Sequence, residues 1–241
     1  MNLLVDIGNQ YVKWLFGDRH GSFDSSSLES CITEYLRPLG GVTGIYFVNV
    51  AGTDVSERFR NCVRPIWGLD PVEIFSQPEQ CGVKNCYRQV HQLGADRWVA
   101  AIAAWHTTRT ATIIVDCGTA VTVDALSDSA EFIGGSIMPG IGLAMDSLYR
   151  RAPGVRESSD QMPAVIPATA TTEAVATGVI FSSVGGIELL VDKYREVAGE
   201  SSRLLITGGD APIIQQHTSK KFEYMPNLVL EGISIIADST S

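Results

Sequence analysis

The chain has 241 residues, of which 45% are apolar and 19% are charged, and its formal net charge is −9. These fractions are typical of a folded globular protein and exclude disordered and collagen-like chains. The acidic balance, with no run of Lys or Arg longer than two, argues against nucleic acid as the principal ligand.

The first half of the chain alternates apolar strand-like runs with helical periodicity. Predicted strands cover 2–7, 11–16 and 44–52. Predicted helices cover 28–37, 54–63 and 96–107. Between the last two helices, residues 76–93 mix Pro, Gly, Cys and polar side chains. This composition predicts a long loop, and long loops in compact domains often carry function.

The second half repeats the alternation after residue 110. Predicted strands cover 111–116, 120–126, 131–137 and 203–207. Predicted helices cover 141–150, 172–198, 210–217 and 226–238. Three prolines and many small residues predict a connecting loop over 152–171.

The sequence also predicts the protein's location and the state of its cysteines. No stretch approaches the roughly 20 apolar residues of a membrane span, and no basic leader precedes the first strand. We therefore expect a cytoplasmic protein without a membrane segment. The five cysteines are odd in number and irregular in spacing, which favours reduced structural thiols over disulfides. Cys81 and Cys86 have no second pair nearby, so they are weak evidence for zinc.

One pattern occurs in both halves of the chain. Asp6 in "VDIG" and Asp116 in "VDCG" each end an apolar strand, precede a glycine by two residues and lead into a second strand. A structural accident has no reason to recur at the matching place. We therefore predict an α/β protein with two similar domains, an N-terminal one over 1–110 and a C-terminal one over 111–241.

These two hairpins carry the residue types of a phosphate-handling site. Such a site needs backbone N–H groups near anionic oxygens, and glycine lets the chain approach closely. It also needs carboxylates for a hydrated Mg²⁺, which takes only one or two protein ligands. "DIGN" at 6–9 and "DCGT" at 116–119 each offer a carboxylate, a glycine turn and a short polar side chain, and Lys13 could reach a phosphoryl group.

The pairing resembles the acetate and sugar kinase/Hsp70/actin superfamily. The resemblance implies two ribonuclease-H-like domains with an ATP cleft between them. A third glycine turn, "ITGGDA" at 206–211, is similar to the adenosine-contacting turn of that superfamily.

Four further motifs narrow the resemblance to type III pantothenate kinase. They are "LGADRW" (93–98), "DCGTAVTVD" (116–124), "GGSIMPGIGLAMDSL" (134–148) and "TTEAVATG" (171–178). The resemblance implies ATP-dependent phosphorylation of the primary hydroxyl of pantothenate, the first step of coenzyme A biosynthesis. It also implies a divalent metal such as Mg²⁺, a monovalent cation (K⁺ or NH₄⁺) and a homodimer with the substrate near the subunit interface.

The resemblance implies roles for particular residues. The ATP-binding residues would be Asp6, Ile7, Gly8, Asn9, Gln10, Tyr11, Val12, Lys13 and Thr119. The substrate-binding residues would be Tyr87, Gly94, Ala95, Asp96, Arg97 and Thr171. Asp96 would be the catalytic base, Asp116 the ligand of the monovalent cation and Asp6 the ligand of Mg²⁺. Two details differ or stay open: Val90 stands where the family often has proline, and Thr172 competes with Thr171 for the same role.

The residues themselves support a catalytic Asp96 and leave an alternative. In phosphoryl transfer a single carboxylate accepts the proton of the attacking hydroxyl, and Asp96 opens an amphipathic helix behind a glycine. The alternative is that Asp96 only caps this helix. A guanidinium such as that of Arg97 suits a carboxylate-bearing substrate, but it could also form a surface ion pair.

Two other functions remain as hypotheses. A small-molecule kinase of the same superfamily with another substrate would keep both hairpins but not the G-x-D-R and T-x-x-A motifs. A non-catalytic, nucleotide-binding accessory regulator of gene expression would be expected to lose one of Asp6, Lys13, Asp96 and Asp116, and all four are present.

Overall fold

The structure is a computed structural model that describes residues 1–152, 154–155 and 164–240. The chain divides into two compact units. Unit 1 comprises Met1–Arg109, Ala130–Phe132 and Asn227–Ser241, and unit 2 comprises Thr110–Ser129 and Ile133–Pro226. The second unit is thus inserted within the chain of the first. The domain boundaries predicted from sequence stay a prediction, and they differ from these units in assigning the last helix to the second half.

Twelve strands and seven α-helices occur in the described residues. The strands are β1 (Asn2–Ile7), β2 (Tyr11–Phe16), β3 (Arg19–Asp24), β4 (Gly44–Asn49), β5 (Val72–Glu73), β6 (Glu79–Gln80), β7 (Val83–Asn85), β8 (Thr112–Cys117), β9 (Ala120–Leu126), β10 (Glu131–Pro139), β11 (Arg203–Thr207) and β12 (Glu223–Tyr224). The helices are α1 (Leu28–Cys31), α2 (Thr53–Trp67), α3 (Ala95–Thr108), α4 (Ile141–Arg151), α5 (Thr171–Ala198), α6 (Ala211–His217) and α7 (Leu228–Ser239).

Unit 1 contains a sheet of order β3-β2-β1-β4-β5. Strand β1 pairs antiparallel with β2 and parallel with β4, so Asp6 lies opposite Lys13 on one side and Val48 on the other. One face of β1, which carries Leu3, Val5 and Ile7, is fully buried in the cluster that includes side chains of α1 and α2. This burial on a continuous apolar strand anchors Asp6 at the strand's carboxyl end.

Helix α3 is almost entirely buried in unit 1, because small and apolar side chains cover most of its surface. Trp98 and Ile102 are fully buried. Helix α7 packs against α3 at Gly232, where any side chain would collide with the backbone carbonyl of Val99. This close approach requires glycine and fixes the helix that carries Asp96.

Unit 2 contains five strands in the order β12-β11-β8-β9-β10. Read from the other edge, this is the order of the first sheet, with β8 in the place of β1. Strand β8 pairs antiparallel with β9 and parallel with β11, as β1 does with β2 and β4. The repeated order matches the two similar halves predicted from the two aspartate hairpins.

The structure differs from the sequence prediction in segments whose hydrophobic periodicity is weak. Residues 76–93 are not only loop, since they hold the β6–β7 hairpin and a 3₁₀ turn at Val90–Gln92. The first predicted helix is short, with a π-helical turn over Ile32–Leu36 after α1. Strands β3, β5 and β12 were not predicted, because β3 buries only Phe23 among its side chains and the others have two residues each. Of the predicted loop over 152–171, residues 153 and 156–163 lie outside the described residues.

Helix α5 corrects the expectation that no segment is long and apolar enough to span a membrane. It has 28 residues, and an 18-residue window has a mean hydropathy of 1.8. However, 44% of that window is buried inside the protein, and Val179, Val184 and Ile187 belong to the core of unit 2. Packing in this core accounts for the buried part of the apolar composition, whereas Phe181 and Leu189 are exposed.

Candidate active site

The first hairpin brings Asp6 and Lys13 to one end of β1. The two residues are cross-strand partners, and Asp6 is only 8% exposed. The turn between them is closed by a hydrogen bond from the Gly8 N–H to the Tyr11 carbonyl at 2.9 Å. The Ser25 hydroxyl donates to the Gly8 carbonyl at 2.8 Å and ties the turn to the end of β3. The result is a braced turn with one acidic and one basic side chain.

The predicted ATP-binding segment has two kinds of residue in the structure. Asn9, Gln10 and Tyr11 are exposed at the turn. Ile7 and Val12 are fully buried in the core of unit 1. The side chains of Asn9, Gln10 and Tyr11 are open to a ligand and that of Lys13 is half-buried, whereas any contact made by Ile7 or Val12 would involve the backbone.

Asp96 lies in the first turn of α3. The N-cap position belongs to Gly94 and has no side-chain cap, so Asp96 lies two residues inside the helix start, and its catalytic and capping roles both stay hypotheses. Asp96 Oδ1 accepts a hydrogen bond from the N–H of the next residue at 2.8 Å. A side chain at Gly94 would come within 2.6 Å of the same oxygen, so the glycine leaves room for the carboxylate.

Burial raises the pKa of Asp96 above the usual range of an aspartate. The hydrogen bond from the Arg97 N–H and the positive charge of Arg97 act in the opposite direction, but desolvation is the larger effect. A carboxylate with a raised pKa is a stronger proton acceptor than an ordinary one.

Arg97 and Tyr87 form a cluster next to Asp96. Arg97 is 7% exposed, so its side chain is buried and does not lie at the surface. Its Nη1 donates to the Tyr87 hydroxyl at 2.9 Å. Ala95, the other predicted member of this substrate-binding group, is also buried. Tyr87, Gly94, Asp96 and Arg97 are therefore brought together within unit 1.

Two residues of this cluster were not predicted from the sequence. Phe132 lies beside both Tyr87 and Arg97. Asn85 is buried, and its Oδ1 accepts the Tyr87 N–H at 3.0 Å. Neither belongs to a recognisable motif, since one is an apolar residue in a strand and the other is the last residue of the three-residue strand β7.

The second hairpin places Asp116 next to a glycine turn from elsewhere in unit 2. Gly208 has a φ of +96°, and a side chain there would come within 2.6 Å of Asp116 Oδ1 and collide with the backbone of Cys117. The Asp210 N–H donates to the Cys117 carbonyl at 2.9 Å. Burial and the nearby charges of Asp116 and Asp210 raise the pKa of the Cys117 thiol, so this cysteine is a protonated structural group.

Thr119 lies at the exposed tip of the same hairpin. Its carbonyl accepts a hydrogen bond from the Gly140 N–H at 3.0 Å, at the start of α4. The turns that contain Gly118, Gly140 and Gly208 thus meet around the end of β8. Such a group of glycine turns leaves backbone groups accessible to a ligand.

Thr171 is exposed at the first turn of α5 and lines a cavity of about 450 Å³. The other lining residues are mostly apolar and include Leu148, Ala174 and Gly178. Thr172 is half-buried and does not line this cavity. Of the two candidate threonines, Thr171 is therefore the one open to a ligand here.

The described residues contain no group of three or more His, Cys, Asp or Glu side chains that could hold a metal ion. This finding argues against a zinc-type site in that part of the chain. A hydrated Mg²⁺ needs only one or two protein carboxylates, and Asp6 can supply one. All five cysteines are free.

Comparison with known proteins identifies close sequence similarity to one family. A family model described as type III pantothenate kinase matches residues 2–193. A protein named type III pantothenate kinase from Nitrosococcus oceani is 31% identical over 254 aligned positions, which cover 100% of this chain and 95% of the relative.

Solved structures show the fold. One is a protein from Campylobacter jejuni provisionally assigned to the Baf family of transcriptional activators. It has a TM-score of 0.61 and 22% identity, and the match covers 99% of this chain and 98% of that chain. MreB5 of Spiroplasma citri bound to ADP has a TM-score of 0.54 and 10% identity, and the match covers 99% and 96%. The structural neighbours have the two-domain ATPase fold of actin, Hsp70 and sugar kinases, which confirms the predicted fold class.

Proposed function

The chain belongs to the type III pantothenate kinase family and phosphorylates pantothenate with ATP in coenzyme A biosynthesis, and we propose that Asp96 is the general base of this reaction. The observation that carries the proposal is the partly desolvated carboxylate at the start of α3, whose pKa is raised by burial.

Asp96 accepts the proton of the pantothenate hydroxyl as that oxygen attacks the γ-phosphorus. Phosphoryl transfer depends mainly on positioning and charge neutralisation, and the base acts late. The hydrogen bond from the Arg97 N–H orients the carboxylate, and the missing side chain at Gly94 leaves space beside it. Burial of the helix behind Asp96 holds the base in place.

The first hairpin binds the phosphates of ATP. Lys13 neutralises charge on the phosphoryl group in transfer, and the exposed turn residues Asn9 to Tyr11 present their backbone to the phosphates. Asp6 holds the divalent metal, which when bound neutralises phosphate charge. Its partly buried carboxylate at the end of β1 is an oxygen ligand of the kind that Mg²⁺ prefers.

The second hairpin binds ATP through Thr119 and a monovalent cation, K⁺ or NH₄⁺, through Asp116. The carboxylate of Asp116 and the carbonyl groups of the adjoining turns are the oxygen ligands that suit K⁺. The glycine turns around β8 keep this region free of side chains. These features support the assignment.

Pantothenate contacts Tyr87, Gly94, Ala95, Arg97 and Thr171. Arg97 pairs with the substrate carboxylate, because a guanidinium offers two parallel N–H donors to a carboxylate. Its hydrogen bond to the Tyr87 hydroxyl supports a shared role of these two side chains. The open cavity beside Thr171 supports the role of that threonine.

The protein acts as a cytoplasmic homodimer. The outward stripe of α5 consists of small or apolar residues at helical spacing: Thr171, Ala174, Gly178, Phe181, Gly185 and Leu189. Exposed Leu143 and Leu148 of α4 add to the apolar surface of unit 2. A second copy of the chain would cover this surface.

Leu189→Glu should therefore yield monomers in analytical ultracentrifugation, whereas Val197→Glu, near the helix end, should leave the dimer intact.

An assay with several hydroxyl acceptors tests the activity against the two alternatives. Pantothenate-dependent release of ADP, with Mg²⁺ and K⁺ supplied, is the expected result. Release of ADP with another small alcohol but not with pantothenate would favour a different small-molecule kinase. No turnover with any acceptor would favour a non-catalytic, nucleotide-binding regulator of gene expression; the name of the C. jejuni protein refers to transcriptional activation.

Asp96→Asn tests the general base. We expect kcat to fall roughly 100- to 10,000-fold, because a positioned base contributes this much to proton transfer. ATP binding, measured by calorimetry, should stay within about twofold of the original value. A variant with nearly full kcat would show that Asp96 is not the base.

The thermal stability of the same variant provides a control for folding. The pKa of Asp96 is higher in the folded than in the unfolded chain, so its stability contribution is complete below the unfolded pKa, about 4. That contribution is lost as pH rises through the folded pKa. Asp96→Asn should therefore melt above the original protein at pH 8, and the difference should shrink at pH 4. A lower melting temperature at both pH values would indicate structural damage.

A further inference from the structure

The guanidinium of Arg97 lies over two aromatic rings. Its Cζ is 5.7 Å from the ring centroid of Tyr87 and 5.7 Å from that of Phe132. The two ring centroids are 5.8 Å apart, with an angle of 59° between the ring planes. The three groups therefore form a nearly equilateral triangle, in which the tilted rings make a V-shaped support beneath the cation.

The backbone explains how residues so distant in sequence form this triangle. Strand β7 pairs parallel with the start of β10, and Phe132 lies opposite Asn85. The Cys86 N–H donates to the Phe132 carbonyl at 3.1 Å, and Asn85 Oδ1 accepts the Tyr87 N–H. Pairing with Phe132 thus fixes the segment that leads into Tyr87, and the two rings are aligned by the same short ladder.

The triangle constrains Arg97 more than a single contact would. The face of an aromatic ring attracts a cation, and the attraction is stronger where water is excluded. Arg97 is 7% exposed and Phe132 is fully buried. Two ring faces and the hydrogen bond from Nη1 to the Tyr87 hydroxyl together limit rotation of the guanidinium about its side-chain bonds. A fixed orientation matters because bidentate pairing with a carboxylate requires a particular plane.

We infer that Phe132 is a positioning residue for substrate recognition, which orients Arg97 for the carboxylate of pantothenate. Phe132 acts through Arg97 and does not itself contact the reacting atoms. The inference rests on the proposed role of Arg97, and it assigns a part in specificity to a residue that otherwise belongs to the core.

A test must separate this role from simple packing, because any substitution of a buried phenylalanine lowers stability. Phe132→Leu removes the ring, and Phe132→Tyr keeps it. Phe59→Leu is the matched control, since Phe59 is equally buried in unit 1 and packs against Phe47, outside the Arg97 cluster. Each variant is assayed with pantothenate and with pantothenyl alcohol, in which a hydroxymethyl group replaces the carboxylate.

We expect Phe132→Leu to raise KM for pantothenate about tenfold, with kcat within about twofold, because the carboxylate is remote from the reacting hydroxyl. The same variant should change kcat/KM for pantothenyl alcohol by less than about twofold. Phe132→Tyr should restore KM for pantothenate, whereas Phe59→Leu should lower the melting temperature without changing KM. Two results would overturn the inference. One is an equal loss of kcat/KM with pantothenate and with pantothenyl alcohol in Phe132→Leu, and the other is the same rise of KM for pantothenate in Phe59→Leu.

Arg97→Met distinguishes failure of this inference from failure of the proposed function. If Arg97→Met loses the preference for pantothenate over the alcohol and Phe132→Leu keeps it, Arg97 binds the carboxylate but Phe132 does not position it. If Arg97→Met keeps the preference, the proposed role of Arg97 is wrong, and the inference about Phe132 is overturned with it.

Discussion

The two aspartate hairpins share a strand order but differ in charge and in support. In the first hairpin, Asp6 lies opposite a basic residue, Lys13. In the second, Asp116 lies opposite Thr122, a neutral residue. The loop of the second hairpin is also one residue shorter, since its last strand pair is Cys117 and Val121. One backbone pattern has thus been adapted to two different charge environments.

The turns of the two hairpins are also held differently. A side-chain hydroxyl, that of Ser25, braces the first turn. The second is covered by backbone, because Gly208 approaches Cys117 and the Gly140 N–H binds the Thr119 carbonyl. These differences accord with the roles proposed above, anionic phosphates at the first hairpin and a cation at the second. Four variants test this difference, in order of decreasing expected effect.

Lys13→Met should have the largest effect. Loss of the only basic side chain in the cross-strand pair leaves charge on the transferring phosphoryl group unneutralised, and we expect kcat to fall about 100-fold. Steady-state kinetics with ATP and pantothenate measure the change. Lys193→Met, which removes an exposed lysine paired with Glu196, is the charge-matched control and should keep nearly full activity. Equal, small effects of both variants would mean that the charge difference between the hairpins is irrelevant to catalysis.

Gly208→Ala should destabilise the protein by about 2–3 kcal/mol. The alanine would adopt an unfavourable positive φ and its methyl group would meet the Cys117 backbone. Gly8→Ala, at the first turn, should cost about 1 kcal/mol or less, because the nearest atom is the Tyr11 carbonyl oxygen at 3.0 Å. Urea unfolding of both variants measures the difference. Similar costs would show that backbone covers the second turn no more tightly than the first.

Asp116→Asn should remove the response to the monovalent cation. We expect the original protein to be about tenfold more active in potassium than in sodium, a ratio that one favourable carboxylate contact could provide. The variant should be equally slow in both salts. Asp6→Asn is the matched control at the other hairpin, and it should lower activity in both salts while keeping the ratio. Loss of the ratio in Asp6→Asn instead would place the cation at the first hairpin.

Ser25→Ala should have the smallest effect. It removes the 2.8 Å hydrogen bond to the Gly8 carbonyl, and a net loss of about 1 kcal/mol is expected. As the turn loosens, KM for ATP should rise about twofold. The rise is small because ATP binding can lose at most the roughly 1 kcal/mol of this hydrogen bond. Ser30→Ala, whose hydroxyl only binds the Ser27 carbonyl in an exposed helical turn, should leave KM for ATP unchanged. If KM for ATP changes in neither variant, the Ser25 brace has no part in nucleotide binding.

Sequence alone predicted the elements of both hairpins, because long apolar strands interrupted by Asp and Gly have a strong and specific pattern. Strands β1 and β9 were predicted with the bounds that they have in the structure. The same reasoning could not find β6 and β7, whose two and three residues form strands only because a partner strand supplies hydrogen bonds. Strands this short depend on tertiary context, and their sequences resemble loops.

The residues of the candidate site that belong to a sequence motif were predicted from the sequence. The roles assigned to those residues stay predictions. "GADR" marks Asp96 and Arg97 in the sequence, and the structure brings Tyr87 beside Arg97. Phe132 and Asn85 could not be found in this way, since their importance depends on pairing between strand residues 47 positions apart. No periodicity or spacing in the sequence indicates which buried phenylalanine faces an arginine.

The close packing of α7 on α3 has a consequence for how the protein forms during synthesis. The helix that carries Asp96 is made before residue 110, but the Gly232 surface that it packs against is made more than a hundred residues later. Helix α3 therefore emerges from the ribosome with its apolar face uncovered, while the whole inserted unit is translated. A nascent chain halted before residue 227 should expose this face and be a target for chaperones, even though every residue of the GADR motif is already present.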